Sequence, residues 1–310
     1  QGFDVAAFIA SGPRMSIKPA LGQPTQEPSV WATDDALALS FTSRYSEDWR
    51  YCAAWGKWLV WDGRRWQADE TLLVHHLIRA ICREAALKAD SHRLAAKLAA
   101  SSTVGGVERL ARTDRRHAST SQEWDADLFA LNTPGGVVDL RTGRLRPHDR
   151  ADRMTKLATA TPRGDCPRWR AFLADVTGGD TDLQAYLQRM VGYCLTGSTS
   201  AHALFFLYGT GANGKSVFVN TLATILGDYA TSAPMDTFME ARGDRHPTDL
   251  AGLRGARFVS SIETEQGRRW NESKVKAITG GDKVSARFMR QDFFEYTPQF
   301  KLVIAGNHKP

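Results

Sequence analysis

Hydrophobic and polar positions divide the chain into an unpatterned start and a series of periodic stretches. Residues 1–30 are rich in Pro, Gly, Ser and Gln without a sustained period, which predicts a linker or tail. Trp58-Leu-Val-Trp61, Asp62-Gly63 and Arg64-Arg65-Trp66 read as a β-hairpin around an Asp-Gly turn. Between residues 70 and 100, Leu72, Leu73, Leu77, Ile81, Leu87, Leu94 and Leu98 recur at three- and four-residue spacing, a helical pattern that Ser101–Gly106 breaks. Residues 131–147 read as another hairpin, turning at Thr142-Gly143. From Pro167 to Gly197 the pattern is helical again, with Phe172, Leu173, Val176, Leu183, Tyr186, Leu187, Met190 and Val191 on one face.

Beyond residue 200 the pattern changes. Ala203–Tyr208, Ala256–Ile262 and Phe300–Ala305 are short apolar runs of the kind that form strands buried on both faces. After the first run, Val217, Phe218, Thr221, Leu222, Ile225 and Leu226 sit at helical spacing until Gly227, a C-cap. The expected fold is therefore α/β, with a parallel-sheet core behind a smaller mixed α+β and helical domain. The expected divisions are a tail over 1–30, an α+β domain over 31–165, a helical segment over 166–200 packing on the core, and the core over 201–310.

Composition adds limits rather than a function. The 310 residues suffice for about two domains. A hydrophobic fraction of 42% and a charged fraction of 24% are those of a soluble globular chain. A formal charge of +6 is compatible with nucleic acid without requiring it. Cys52, Cys82, Cys166 and Cys194 form no CxxC pair, which argues against a zinc ribbon or a disulfide framework and fits a reducing cytoplasm. No apolar run approaches the roughly 18 residues of a membrane helix, and the start carries no signal-peptide core, so no membrane partner is expected. Six tryptophans fall between Trp31 and Trp66. Interleaved with arginines they can stack on single-stranded bases, but packing a small sheet is the commoner use.

The stretch Gly209-Thr210-Gly211-Ala212-Asn213-Gly214-Lys215-Ser216 carries the chemistry. Its glycines let backbone N–H groups turn toward phosphates, and the following helix adds the positive end of its dipole. Lys215 can reach the β- and γ-phosphates and Ser216 can ligate magnesium, so ATP and Mg2+ are the expected ligands. The second apolar run ends in Glu263-Thr-Glu265. One of these carboxylates can hold the metal and the other polarise the attacking water; Glu263 for the metal is the first assignment, the reverse the alternative. The third run ends at Asn307, whose amide can bond the γ-phosphate or its attacking water. Between those runs, Gly280-Gly281 precedes alternating basic and apolar residues, a candidate hairpin that sets Lys283, Arg287 and Arg290 against a phosphate backbone. Phe288 is there either a wedge or a core residue.

Residues 201–310 resemble the front part of a superfamily-three helicase of the phage and plasmid primase–helicase type. The resemblance rests on GTGANGKS (209–216), SIETEQGRRWNE (261–272), KAITGGDKVSARFMR (276–290) and FKLVIAGNHKP (300–310). WGKWLVWDGRRW, LNTPGGVVDLRTGRLRPHD and the segment before TGSTS resemble the domain that precedes the motor in that family. The resemblance implies a P-loop NTPase of AAA+-like fold, assembled as a homo-oligomeric ring, usually a hexamer. Such a ring hydrolyses ATP to draw single-stranded or forked DNA through its centre during replication of a mobile element, here in the cytoplasm of a bacterial host. It also implies Walker A roles for Lys215 and Ser216, Walker B roles for Glu263 and Glu265, a sensor role for Asn307, and a DNA-gripping loop over 276–290. The family's arginine finger lies downstream of the Asn-His-Lys-Pro stretch, past Pro310, so a core truncated at its C-terminus, with weak turnover, is expected. No acidic metal motif of a primase stands before residue 200. The alternative to a helicase is a nucleotide-dependent DNA-binding or ring-forming module with little hydrolysis. A small-molecule kinase is disfavoured by the basic segment and by the lack of an acceptor-site motif.

Overall fold

The computed structural model describes residues 31–211, 213–240, 248–262, 269–289 and 292–307. The expected tail over 1–30 lies outside them. The chain opens with helix α1 (Asp34–Tyr45), capped by the Thr33 hydroxyl on Ala36 N–H and carrying Asp34 and Asp35 in its positive first turn. Strands β1 (Trp49–Cys52), β2 (Lys57–Trp61) and β3 (Trp66–Ala68) follow, and β4 (Ala118–Ser119) adds to them in the order β3-β2-β1-β4. The β2–β3 hairpin is the one expected, with Trp61 opposite Trp66 and Asp62 accepting from the amides of Arg64 and Arg65. Trp49, Trp58 and Trp66 are buried, and the Trp58 indole donates to the buried Glu108 carboxylate at 2.6 Å. These tryptophans pack the sheet.

The helical stretch after residue 70 is α2 (Leu73–Leu87), α3 (His92–Leu98) and α4 (Ser101–Ala111). Two expectations need correcting. The buried face of α2 is Val74, Ile78, Ile81, Cys82 and Ala85, whereas Leu72, Leu73 and Leu87 are exposed. Asp69 sets that phase by accepting the amides of Leu73 and Val74, which starts the helix one step later than the leucine spacing implied. The stretch Ser101–Gly106 is itself helical rather than a breaker. Gly106 faces α1 so closely that a Cβ would run into the Asp34 carboxylate; the glycine serves a helix–helix contact, and packing overrides its weak propensity.

Strands β5 (Ala130–Thr133), β6 (Gly136–Asp139) and β7 (Arg144–Arg146) form an antiparallel meander. The turn between β6 and β7 includes Thr142 and Gly143 as expected, but Pro134-Gly135 makes a second turn that splits the first arm in two. The helical stretch from Pro167 is likewise divided, into α5 (Pro167–Val176) and α6 (Thr181–Leu195). Gly178 and Gly179 take positive φ between them, and Asp180 caps α6.

The rest of the chain is a four-stranded parallel sheet, β8 (Phe205–Tyr208), β9 (Ala230–Ser232), β10 (Phe258–Ile262) and β13 (Lys301–Gly306), in the order β8-β13-β10-β9. Helix α7 (Lys215–Leu226) crosses from β8 to β9 and buries Phe218, Val219, Leu222 and Leu226. That face of the sheet also receives Leu131, Val138, Met190 and Cys194 from upstream. The other face is covered by Leu250, Ala251 and Leu253, with α8 (Thr248–Ala251), and by Ile278 of α9 (Glu272–Gly280). Both faces are covered, which is why β8 and most of β13 read as apolar runs, whereas β9, Ala230-Thr231-Ser232 at the sheet edge, does not.

Two buried cations join the sheet to the residues before it. Arg257, at the start of β10, donates to the carbonyls of Leu195 (2.7 Å), Ala130 (2.8 Å) and Asp127 (3.2 Å) and lies over the Tyr229 ring. Lys301, at the start of β13, donates to the carbonyls of Thr196, Ser198 and Gln299 and lies over the Tyr193 ring. Neither has a carboxylate partner among the described residues; the negative end of α6 and main-chain oxygens hold them. Burial lowers the pKa of both, that of Lys301 to about 7.

Candidate functional site

β8 ends at Tyr208 beside Gly306 of β13, so the chain leaves the sheet at Gly209 and at Asn307 from adjacent strand ends. Ile262, the last residue of β10, pairs with Ala305 and reaches the same edge. Where a parallel sheet releases neighbouring strands in this way, a crevice opens beyond their carboxyl ends. Here it is a cavity of about 790 Å³ lined by Gly211, Asn213, Gly214, Lys215, Ser216, Val217, Asn307, Asp175 and Val176. That volume lies in the range of small-ligand sites.

The loop is built for close approach. Gly214 caps α7 in the left-handed region (φ +81°), and a Cβ there would stand 2.5 Å from Val176 Cγ1 and 3.2 Å from the Phe172 ring. Helix α7 begins at Lys215, so its first turn, with unsatisfied amides and the positive dipole end, belongs to the cavity wall. The Lys215 ammonium donates to the carbonyls of Gly209 (2.6 Å) and Thr210 (3.2 Å) and to Asn213 Oδ1 (2.9 Å). It is folded back on its own loop, a positive charge held at the cavity by three oxygens. The Ser216 hydroxyl is exposed and carries no hydrogen bond among the described residues, which leaves it open to a metal.

The structure thus gathers Gly211, Asn213, Gly214, Lys215, Ser216 and Asn307 around one space, with Gly209 and Thr210 bonded to Lys215 at its edge. Ala212, Glu263 and Glu265 lie outside the described residues. Among the described residues no group of three or more His, Cys, Asp and Glu side chains could hold a metal by itself. Three lining residues had no such reading in the sequence. Spacing puts Val176 and Val217 on apolar helix faces and gives Asp175 no role. Helix α5 reaches the cavity because Trp169 stacks on Phe172 (5.3 Å) and on Phe218 of α7 (5.6 Å). Only that long-range stack, invisible in local spacing, could have announced it. A second, shallower cleft of about 450 Å³ lies between Gly63-Arg64, Pro134-Gly135 and Leu145–His148 and shares no residue with the loop.

The basic segment after α9 is a hairpin, β11 (Val284–Ala286) against β12 (Phe294–Tyr296). Its base is anchored by buried Val284, Ala286 and Tyr296, the tyrosine hydroxyl donating to Leu250 O at 2.6 Å. Lys283 is exposed at the base, just before β11; toward the tip the Arg287 guanidinium lies 4.7 Å over the Phe293 ring, and Phe288, Met289 and Phe293 face solvent. Phe288 stacks on Phe294 while staying 42% exposed, so it is a surface aromatic rather than a core residue. Arg290 lies outside the described residues.

Comparison with known proteins adds to this geometry. Residues 38–178 match the D5 N terminal like family, and residues 207–310 match a family of unknown function, DUF5906. The chain is similar to viral proteins named as helicases. It is 29% identical over 194 residues to the helicase-named protein L207/L206 of Acanthamoeba polyphaga mimivirus, covering 60% of this chain and 20% of that protein. It is 26% identical over 191 residues to the helicase-named protein 022R of Frog virus 3 (isolate Goorha), covering 59% of this chain and 18% of that protein. The chain therefore spans about a fifth of the length of these relatives. The apo structure of the NrS-1 C-terminal region superposes with a TM-score of 0.52 at 9% identity, over 90% of this chain and 57% of that one, and shares the fold. No helix among the described residues is long and apolar enough to cross a membrane.

Proposed function

We propose that this chain is the nucleotide-binding part of a replicative DNA helicase of the superfamily-three, phage and plasmid type. The observation that carries the reading is the meeting of the 209–216 loop, the start of α7 and Asn307 in one cavity at the carboxyl edge of a parallel sheet. Bound there, ATP with Mg2+ supplies a phosphoryl group whose transfer to water releases the free energy for movement. The loop amides and the α7 N-terminus hold the phosphates, and Lys215 exchanges its three loop oxygens for phosphate oxygens. Ser216 offers its hydroxyl to the metal, and Asn307 orients the terminal phosphate or the attacking water. Glu263 and Glu265 follow β10 in sequence and take the metal and water roles in this reading.

The β11–β12 hairpin supplies the grip on single-stranded or forked DNA, with Lys283 and Arg287 on phosphates. The names of the viral relatives support a helicase, and the D5 N terminal like match supports a replication context. A hexameric ring of identical subunits is the assembly this function uses. Among the described residues lining the cavity the cation is Lys215 and there is no arginine. That favours a second reading, a nucleotide-dependent DNA-binding or ring-forming module that hydrolyses slowly until an arginine reaches the site in trans.

The test is calorimetry of Mg·ATP with wild type and Lys215→Ala, joined to phosphate release with and without single-stranded DNA. Loss of binding in the variant and DNA-stimulated release in wild type support the motor. Binding without stimulated release supports the second reading, and unchanged affinity in Lys215→Ala overturns both.

A further inference from the structure

The phosphate loop accounts for part of the cavity lining; a helix from the preceding segment, packed against Gly214, supplies another part. Val176 at the end of α5 and Val217 at the start of α7 both line the space, and both are exposed, at 37% and 55%. Two aliphatic side chains left facing the same cavity present an apolar slot. Beside them stands Asp175, an exposed carboxylate with no hydrogen bond or ion pair among the described residues. A carboxylate is a poor neighbour for phosphates, yet it is a strong acceptor for vicinal hydroxyls.

These groups and Asn307 reach the cavity from different elements. Asn307 and Gly209 issue from paired strands, β13 and β8, on the sheet side. Val217 lies beyond Ser216 on α7, and Val176 approaches the loop from α5, on the helix side. A triphosphate laid along the loop, with its terminal phosphate at Asn307, leaves its nucleoside against α5. The aromatic stack of Phe172, Trp169 and Phe218 fixes α5 to α7, so this wall is placed before any ligand arrives.

We propose that Asp175, Val176 and Val217 form the nucleoside subsite: the valines flank the base and the Asp175 carboxylate accepts hydrogen bonds from the ribose 2′- and 3′-hydroxyls. The subsite selects ribonucleoside triphosphates over analogues lacking those hydroxyls. The proposal rests on the phosphate-loop reading above and adds a specificity that the loop cannot supply.

The experiment compares Mg2+ complexes of ATP, 2′,3′-dideoxy-ATP and inorganic tripolyphosphate by calorimetry. The proteins are wild type, Asp175→Ala and Val176→Asp, with thermal unfolding confirming that each variant folds. Wild type is expected to prefer ATP over dideoxy-ATP by about ten- to a hundredfold, the range for hydrogen bonds to a charged acceptor. Asp175→Ala should bring ATP down to the dideoxy-ATP value and leave tripolyphosphate as tight or tighter. Val176→Asp should weaken both nucleotides more than it weakens tripolyphosphate, the shared part of the loss being the repulsion between an added carboxylate and the phosphates. Equal affinity of wild type for ATP and dideoxy-ATP would overturn the ribose contact, as would an Asp175→Ala loss shared equally by all three ligands. If Val176→Asp left both nucleotides unchanged, or weakened tripolyphosphate as much, the base wall would fall. Failure of wild type to bind even tripolyphosphate would overturn the phosphate-loop reading, and this proposal with it.

Discussion

Replacing Gly214 by alanine tests the joint between the loop and α5. The backbone there has φ +81°, a conformation in which a Cβ costs about 1–2 kcal/mol. The new methyl would also stand 2.5 Å from Val176 Cγ1 and 3.2–3.3 Å from two Phe172 ring carbons. Overpacking of that kind costs about 1–3 kcal/mol. Gly214→Ala should therefore destabilise the nucleotide-free protein by about 3 kcal/mol. The two parts separate in a double-mutant cycle. Val176→Ala removes the methyl that meets the new Cβ and leaves φ unchanged, so the double variant should recover roughly 1 kcal/mol relative to the sum of the single changes. Chemical denaturation followed by circular dichroism measures all four proteins. Additive costs, with a coupling indistinguishable from zero, would mean that α5 does not abut the loop, and the account of the cavity wall would go with it.

Arg257→Met keeps bulk but strands three buried carbonyls, and should cost about 3–5 kcal/mol in unfolding free energy; a loss below 1 kcal/mol would show those oxygens solvated. Lys301 has a native pKa of about 7 against its ordinary value of 10.5, so between those values the unfolded chain binds a proton that the native chain lacks. Wild-type stability relative to Lys301→Met should accordingly rise from pH 7 to pH 9, by at most about 1.4 kcal/mol per unit; a flat difference refutes it. Lys283→Ala with Arg287→Ala should weaken binding of single-stranded DNA and reduce its log–log salt slope by about 1.4, leaving ATP affinity unchanged. An unaltered slope would remove the hairpin from the DNA path.

The half beyond residue 200 was the more legible part of the sequence because its signals are local. Strand, glycine loop and helix follow one another within about two dozen residues, and buried parallel strands need unbroken apolar runs. The upstream half hid what depends on distant partners. Asp69 reset the phase of α2, Gly106 served a contact with Asp34 and so looked like a breaker, and Pro134-Gly135 divided an arm that read as one. The cavity lining was legible at Lys215, Ser216 and Asn307, which the loop motif and a strand end single out in the sequence. It was hidden at Asp175 and Val176, whose place depends on a stack between Trp169 and Phe218, nearly fifty residues apart.

Arg257 and Lys301 also bear on what can be cut out of this protein. Apart from Gln299 O, the main-chain oxygens that accept from them belong to Asp127, Ala130, Leu195, Thr196 and Ser198, all before residue 201. A fragment that begins at the glycine loop's own strand would expose two cations on the underside of a sheet whose apolar face had also lost its cover. The smallest autonomous piece should instead start upstream of Asp127, even though every residue assigned to the phosphates lies far downstream of it.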